Sequence, residues 1–321
     1  MKHPVRLGVL RLSDSAPAIV ADAEGFFAAE DLDVALQVEP SWANIADKLC
    51  WRKLDAAVML LPLALAVAAG LRGAPARLII PMGISQGGNA VAVSRAIAAE
   101  LPRQLAPASA AGALRNWVHA QKRPPRFAVV QVFSTHNLLV RAWLGSAGID
   151  PDRDLEIVVI PPERVVAELR SGHIAAFCAG APWGDVAEAT GSGRILIGTS
   201  AIRPGHAEKC LVLAGHWAAD QPDAVSALSR ALHAAQHLCD RPERAPALAA
   251  LLARRLDLPE TATRAALAGG DGIEQIAFAA AAKLDPAEGL WCLGEMQRWG
   301  WLDRTRDLDA LIADVHHPAI A

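Results

Sequence analysis

The sequence lacks several patterns that would indicate a common chemistry. Its five cysteines are widely spaced and form no C-x-x-C pair, so neither a zinc site nor a redox motif is indicated. Lysine and arginine are scattered and the net charge is −3, so no basic stripe for DNA or RNA is present. We therefore predict no metal, no cofactor and no direct contact with nucleic acid.

Motifs of two large enzyme classes are also missing, because the chain contains neither H-E-x-x-H nor G-x-x-x-x-G-K-[ST]. Asp14 and Asp185 could be proposed as an acid/base pair. Each lies near the start of a predicted helix, however, and helix capping is the simpler interpretation of both. The sequence therefore predicts a protein that is not an enzyme.

No stretch of the sequence is suited to a membrane. The longest apolar run, 56–71, has 16 residues with Pro62 inside it, whereas a spanning helix needs about 20. At the N-terminus Arg6 and Arg11 interrupt the apolar run that a secretory signal requires, and the segment is better described as a strand. We expect a cytoplasmic protein, unless a leader has been removed.

The chain contains a repeat. Segment 48–62 matches 168–182 at a constant offset of 120, and each copy has a helix end, a short apolar strand and a proline. The repeat predicts two α/β lobes, formed by 1–86 with 201–321 and by 87–200, with a ligand cleft between them. We expect mostly parallel sheets with flanking helices, two crossings near 85–89 and 200–208, and a helical C-terminal part.

Polar and aromatic residues follow several of the predicted strands. Ligands of open α/β sheets bind beyond the carboxyl ends of strands, where helix N-termini offer N–H groups suited to a small anion. Each candidate also has an ordinary structural explanation, such as a packing aromatic or a turn residue. The candidate positions are Trp42, Asn89, His136, Gly180 and Lys209.

Segment 133–183 resembles the nitrate- and bicarbonate-binding proteins of ABC transporters. The resemblance continues in SDSAPAIVADAEGFF, SWANIADKL, LDAAVMLLP and HAEKCLVL, and it covers about 5–301. It implies a type II periplasmic-binding-protein-like fold that closes like a clamp on its ligand.

The same resemblance implies a nitrate or nitrite site. In that family a tryptophan, a glutamine, a histidine, a backbone glycine and a lysine bind nitrate. These positions fall on Trp42, Asn89, His136, Gly180 and Lys209. Bicarbonate-binding members have an acidic residue at the lysine position, so Lys209 favours nitrate or nitrite. We expect a set of donors only, with one net positive charge. Ala181 replaces a glutamate that the family often carries.

Because no leader is expected, the chain resembles the cytoplasmic nitrate/nitrite sensor (NasS type) of nitrate-assimilation operons, and this sensor is the function we expect. Such a sensor, when free of ligand, holds an RNA-binding antiterminator protein (NasT type) inactive. Two alternatives stay open. One is the solute-binding component of a nitrate ABC transporter. The other is an enzyme on the same fold, of the kind that makes thiamine precursors.

Overall fold

A computed structural model describes residues 3–103, 105–268 and 275–318 of the chain. It divides into two compact units. Unit 1 comprises the described parts of Met1–Gln86, Ala207–Asp257 and Ala277–Ala321, and unit 2 those of Gly87–His206 and Leu258–Ile276. The division differs from the predicted one in two places, because 201–206 and the described residues 258–268 and 275–276 lie in unit 2 rather than with the first lobe.

Unit 1 is built on a six-stranded sheet with the order β11-β4-β10-β3-β1-β2. Its strands are β1 (His3–Val9), β2 (Leu32–Val38), β3 (Ala56–Leu60), β4 (Leu78–Gly87), β10 (Ala207–Ala214) and β11 (Ile276–Ala277). Its helices are α1 (Ala16–Ala23), α2 (Phe26–Ala29), α3 (Trp42–Cys50), α4 (Leu61–Ala68), α11 (Gly215–Asp220), α12 (Pro222–Cys239), α13 (Ala245–Leu256), α15 (Pro286–Arg298) and α16 (Leu308–Val315).

Unit 2 is built on a five-stranded sheet with the order β7-β6-β8-β5-β9. Its strands are β5 (Asn89–Ser94), β6 (Arg126–Val129), β7 (Glu156–Val159), β8 (Ala176–Gly180) and β9 (Gly193–Gly198). Its helices are α5 (Arg95–Glu100), α6 (Pro107–His119), α7 (Thr135–Ser146), α8 (Val165–Arg170), α9 (Trp183–Ala189), α10 (Thr199–Ile202) and α14 (Glu260–Ala268).

Both sheets are mixed, so the prediction of mostly parallel sheets was wrong. β1 pairs in parallel with β2 and β3, and β6 pairs in parallel with β7 and β8. By contrast, β10 is antiparallel to β3 and β4, and β5 is antiparallel to β8 and β9. Alternating strands and helices predict parallel pairing only for neighbouring strands that a helical crossover connects. β10 and β5 are not connected in this way to the strands with which they pair, so the alternation does not predict their direction.

The repeat in the sequence corresponds to one structural element in each unit. β3 and β8 are five-residue strands offset by 120 positions, and every residue in both is buried. The paired apolar residues before them are buried as well, namely Leu49 with Leu169 and Leu54 with Ile174. Each strand has a parallel neighbour on one side and an antiparallel neighbour on the other.

The apolar run 56–71 forms strand β3 followed by helix α4. Most of its residues are buried in the core of unit 1, and 68, 70 and 71 at its end are partly exposed. Among the described residues, no helix has both the length and the apolar composition needed to cross a bilayer.

Candidate functional site

Lys209 of β10 is fully buried and lies between two carboxylates. Its Nζ is 2.6 Å from Asp14 Oδ2 and 2.7 Å from Glu208 Oε1. Asp14 belongs to a short 3-10 turn, Ser13–Ser15, that joins β1 to α1. A buried ammonium is tolerated only when charged partners replace its hydration, and these two carboxylates do so.

A shift in the strand register of β10 explains how the side chains of Glu208 and Lys209, which are adjacent in the chain, can contact each other. Successive residues of a regular strand point to opposite faces, which would separate Glu208 from Lys209. The ladder between β10 and β4 pairs Ala207 with Gln86 and Lys209 with Ser85, and its register shifts between these two pairs. Glu208 is therefore an extra residue, as in a β-bulge, and bulges redirect side chains in this way.

Trp42 is the first residue of α3, and it lies against Lys209. The helix is capped by Ser41, whose Oγ accepts a hydrogen bond from the backbone N–H of Asn44 at 3.2 Å. The Trp42 ring is buried, and its centroid is 5.3 Å from Lys209 Nζ. At this distance the ring stabilises the ammonium by a cation–π interaction. The structure thus brings together the two site residues predicted in unit 1.

Burial and charge act together on the proton affinities of this cluster. Burial raises the pKa of Asp14, and this effect exceeds the lowering caused by Lys209. Burial alone would lower the pKa of Lys209, but Asp14 and Glu208 outweigh it and the pKa is raised. Both groups therefore hold their protons more tightly than they would in water, Asp14 because of its burial and Lys209 because of the two carboxylates beside it.

Several polar atoms around Lys209 are buried without a protein partner among the described residues. They are Ser13 Oγ, Asp14 Oδ1, Trp42 Nε1 and Ser85 Oγ. Most buried polar groups in proteins are hydrogen-bonded, so a cluster of exceptions requires an explanation. Lys209 contacts Trp42 and Asp14, and it is the strand partner of Ser85. The unpartnered atoms of these residues therefore lie around one ammonium, and we treat this cluster as a candidate ligand site.

Two expectations about this region were wrong. Asp14 makes no capping hydrogen bond, because its carboxylate binds Lys209 instead. The expected set of donors with one net positive charge is also absent from unit 1, because the charge of Lys209 is balanced by Asp14 and Glu208. Sequence reasoning missed both contacts. Asp14 lies 195 positions from Lys209 in the chain, and Glu208, as its direct neighbour, would point to the opposite face of a regular strand.

Ser85 lies in a pattern, Gly83-Ile84-Ser85-Gln86-Gly87, that has the spacing of a nucleophile elbow. The functional form of that motif is a sharp turn between a strand and a helix. Here all five residues lie within β4, and the Ser85 side chain is buried. The pattern therefore does not form an elbow, and Ser85 Oγ is a buried hydroxyl without a protein partner among the described residues.

In unit 2 the structure places Asn89 directly opposite Gly180. Asn89 begins β5, Gly180 ends β8, and the two are register partners in the antiparallel ladder. The carbonyl oxygen of Asn89 accepts a hydrogen bond from Thr199 Oγ1 at 3.2 Å. Ala181, the residue that replaces the family's glutamate, is buried, and its N–H donates to the carbonyl of Gly88 at 2.8 Å.

His136 is the second residue of α7 and is fully buried. Ser134 caps this helix by accepting from the backbone N–H of Asn137 at 3.1 Å. β6, which precedes α7, is parallel to β8, so the start of α7 lies at the same edge of the sheet as Gly180. Thr135 Oγ1 at this helix start is buried without a protein partner among the described residues. Unit 2 thus places the other three predicted site residues at one edge of its sheet.

Comparison with known proteins gives the following relatives. Residues 1–253 match the model of the NMT1-like family. The chain is 32% identical to the nitrate import ATP-binding protein NrtC of Synechocystis over 97% of its length, and 32% identical to the bicarbonate transport ATP-binding protein CmpC of Synechococcus elongatus over 93%. It spans about half the length of these curated relatives, 48% and 46% respectively.

A solved structure supports the predicted fold. The crystal structure of the periplasmic nitrate-binding protein NrtA from Synechocystis PCC 6803 matches with a TM-score of 0.90 at 25% identity. The match covers 98% of this chain and 86% of that one. The expected two-lobed periplasmic-binding-protein-like α/β fold is confirmed, with mixed sheets and flanking helices. The chain belongs to the NMT1-like family.

Proposed function

We propose that the chain binds a small oxyanion, nitrate or nitrite, and acts as a binding protein without turnover. The observation that supports this most strongly is the buried cluster at Lys209. An ammonium has three N–H donors, and Asp14 and Glu208 account for two of them. Trp42 Nε1 and Ser85 Oγ add donors without a protein partner among the described residues.

Unit 2 also carries hydrogen-bond donors that suit an anion. The start of α7 presents backbone N–H groups and the positive end of a helix dipole, and His136 and Thr135 lie there. Asn89 adds a side-chain amide. Nitrate and nitrite offer only acceptor oxygens, so donors of this kind suit them, whereas ionised Asp14 and Glu208 beside Lys209 oppose a monoanion.

The choice of nitrate over bicarbonate rests on Lys209. Relatives of both kinds are similar to this chain at the same identity. The resemblance drawn from the sequence associates a lysine at this position with nitrate and an acidic residue with bicarbonate. Lys209 therefore favours nitrate or nitrite as the ligand.

For the biological role we propose a cytoplasmic nitrate/nitrite sensor. In this role the ligand-free chain would sequester an RNA-binding antiterminator of the NasT type, and the anion would release it. Support comes from the sequence resemblance to such sensors. The alternative is the solute-binding component of a nitrate transporter, which the similarity to NrtC and NrtA favours.

A pair of tryptophan variants tests the ligand proposal. Trp42→Phe keeps the aromatic ring and removes the Nε1 donor. Because one hydrogen bond to a charged partner contributes about 1.5–3 kcal/mol, nitrate affinity should fall roughly 10- to 100-fold by calorimetry. The control is Trp217→Phe, a change to a buried tryptophan of α11 that should leave affinity unaltered. Equal affinities in the two variants would remove Trp42 from the site.

Co-purification separates the two roles. The full chain is mixed with an antiterminator protein of the NasT type, with and without nitrate. A sensor forms a stable complex that nitrate dissociates. The absence of a complex in both conditions would reject the sensor and leave the transporter component.

A further inference from the structure

The cluster at Lys209 carries an unusual balance of charge for an anion site. Asp14 and Glu208 together with Lys209 amount to two carboxylates and one ammonium, and all three side chains are buried. A monoanion entering this cluster would add a further negative charge where little water is present to screen it. Like charges in such surroundings repel strongly unless one of them is neutralised.

One carboxylate is placed to be neutralised. Asp14 Oδ2 contacts Lys209, while Asp14 Oδ1 is buried and has no protein partner among the described residues. The charged groups that act on Asp14 are Lys209 and Glu208, both on β10. The neighbouring Trp42 of α3 and Ser85 of β4 carry no charge. Protonation would turn Asp14 Oδ1 from a hydrogen-bond acceptor into a donor. No protein acceptor among the described residues is bonded to this atom, so its O–H could donate to a ligand.

We propose that anion binding at this cluster is coupled to the uptake of one proton by Asp14, whose Oδ1–H then donates to the bound anion. This inference rests on the proposed function, because it concerns the same site. The proton comes from solvent, and the anion itself is unchanged. Nitrate is the anion of a strong acid and brings no proton. Bicarbonate carries a proton that it could donate to Asp14 Oδ1, so its binding would require no uptake.

The direction of the pH dependence follows from this balance. Where Asp14 is ionised in the free protein and protonated in the complex, nitrate affinity increases as pH falls, by about tenfold per pH unit for one proton. Below the pKa of Asp14 in the free protein, affinity becomes independent of pH. Burial, which raises the pKa of Asp14, brings this transition closer to neutrality.

The test is calorimetric titration of the full chain with nitrate in two buffers of very different ionisation enthalpy, repeated across pH. The expected result is uptake of about one proton per anion, since the observed heat then depends on the buffer. Asp14→Asn keeps the oxygen that accepts from Lys209 but cannot titrate. This variant should bind nitrate with a heat that is the same in both buffers and with an affinity independent of pH.

Asp185→Asn is the matched control. Burial raises the pKa of Asp185 to about 6, and burial also raises the pKa of Asp14, but Asp185 lies on α9 in unit 2. The control should retain proton uptake. Wild-type binding with a heat independent of the buffer would overturn the inference, and so would full uptake in Asp14→Asn. If wild type binds none of the anions, the proposed function fails instead. Should Asp14→Asn fail to fold, the wild-type pH slope decides.

Discussion

Units 1 and 2 bury different kinds of polar groups at equivalent places in a shared strand order. β10 of unit 1 and β5 of unit 2 each pair antiparallel with one copy of the repeated strand. Lys209 lies opposite Leu60, and Asn89 lies opposite Gly180. Since Leu60 and Gly180 are 120 positions apart, Lys209 and Asn89 occupy the same place in the two copies.

The strand-to-helix junction beside the repeated strand shows the same difference, since β1 is the parallel neighbour of β3 and β6 that of β8. After β1, unit 1 places Asp14, which pairs with the ammonium of Lys209. After β6, unit 2 places His136 at the capped start of α7. Unit 1 thus buries an ion cluster, whereas the corresponding positions of unit 2 carry an amide, an imidazole and backbone groups. The comparison shows that the same strand order can carry either an ion cluster or polar groups without a carboxylate at these equivalent positions.

The largest expected effect comes from removing the ammonium. Lys209→Met leaves Asp14 and Glu208 buried without their cation, which costs about 3–5 kcal/mol of unfolding free energy. Nitrate binding should be lost as well. Chemical denaturation and calorimetry measure the two effects.

Arg230→Met is the control for this change. Arg230 and Glu30 form an equally short pair of 2.6 Å at the surface of unit 1. Exposed pairs contribute at most about 1 kcal/mol, so the loss of stability should be small. Equal losses of unfolding free energy in Lys209→Met and Arg230→Met would show that the buried cluster contributes no more to stability than an exposed ion pair.

A change in unit 2 should separate binding from stability. His136→Leu removes a donor from the start of α7, and nitrate affinity should fall roughly 10- to 100-fold, as expected for a hydrogen bond to a charged ligand. Its effect on unfolding should be smaller than that of Lys209→Met, since Lys209 stays paired with Asp14 and Glu208. His173→Leu, at an exposed histidine of unit 2, is the control. A larger loss of stability than in Lys209→Met would contradict the comparison.

The smallest expected effect is a gain in affinity. Glu208→Gln keeps an oxygen that can accept from Lys209 but removes one buried negative charge. Nitrate should bind about tenfold more tightly, because less repulsion opposes it. Glu39→Gln changes another buried carboxylate of unit 1, one that pairs with Lys48, and should leave affinity unchanged. Weaker binding in Glu208→Gln would show that this carboxylate assists the anion.

The repeat and the helix starts could be predicted from sequence because their signals are local. Leu49 and Leu169, for example, belong to matching periodic patterns. The direction of β10 could not be predicted, since pairing between distant strands leaves no periodic mark. The contact of Asp14 with Lys209 was missed for the same reason, and a serine-rich turn before a helix made a cap the simpler hypothesis.

Calorimetric titration of the wild-type chain with nitrate, nitrite and bicarbonate, without added calcium, tests the central claim most directly. The account predicts saturable binding of nitrate or nitrite at one site per chain. Bicarbonate should bind with lower affinity or give no detectable heat of binding. Binding of bicarbonate alone, or of none of the three anions, would contradict it.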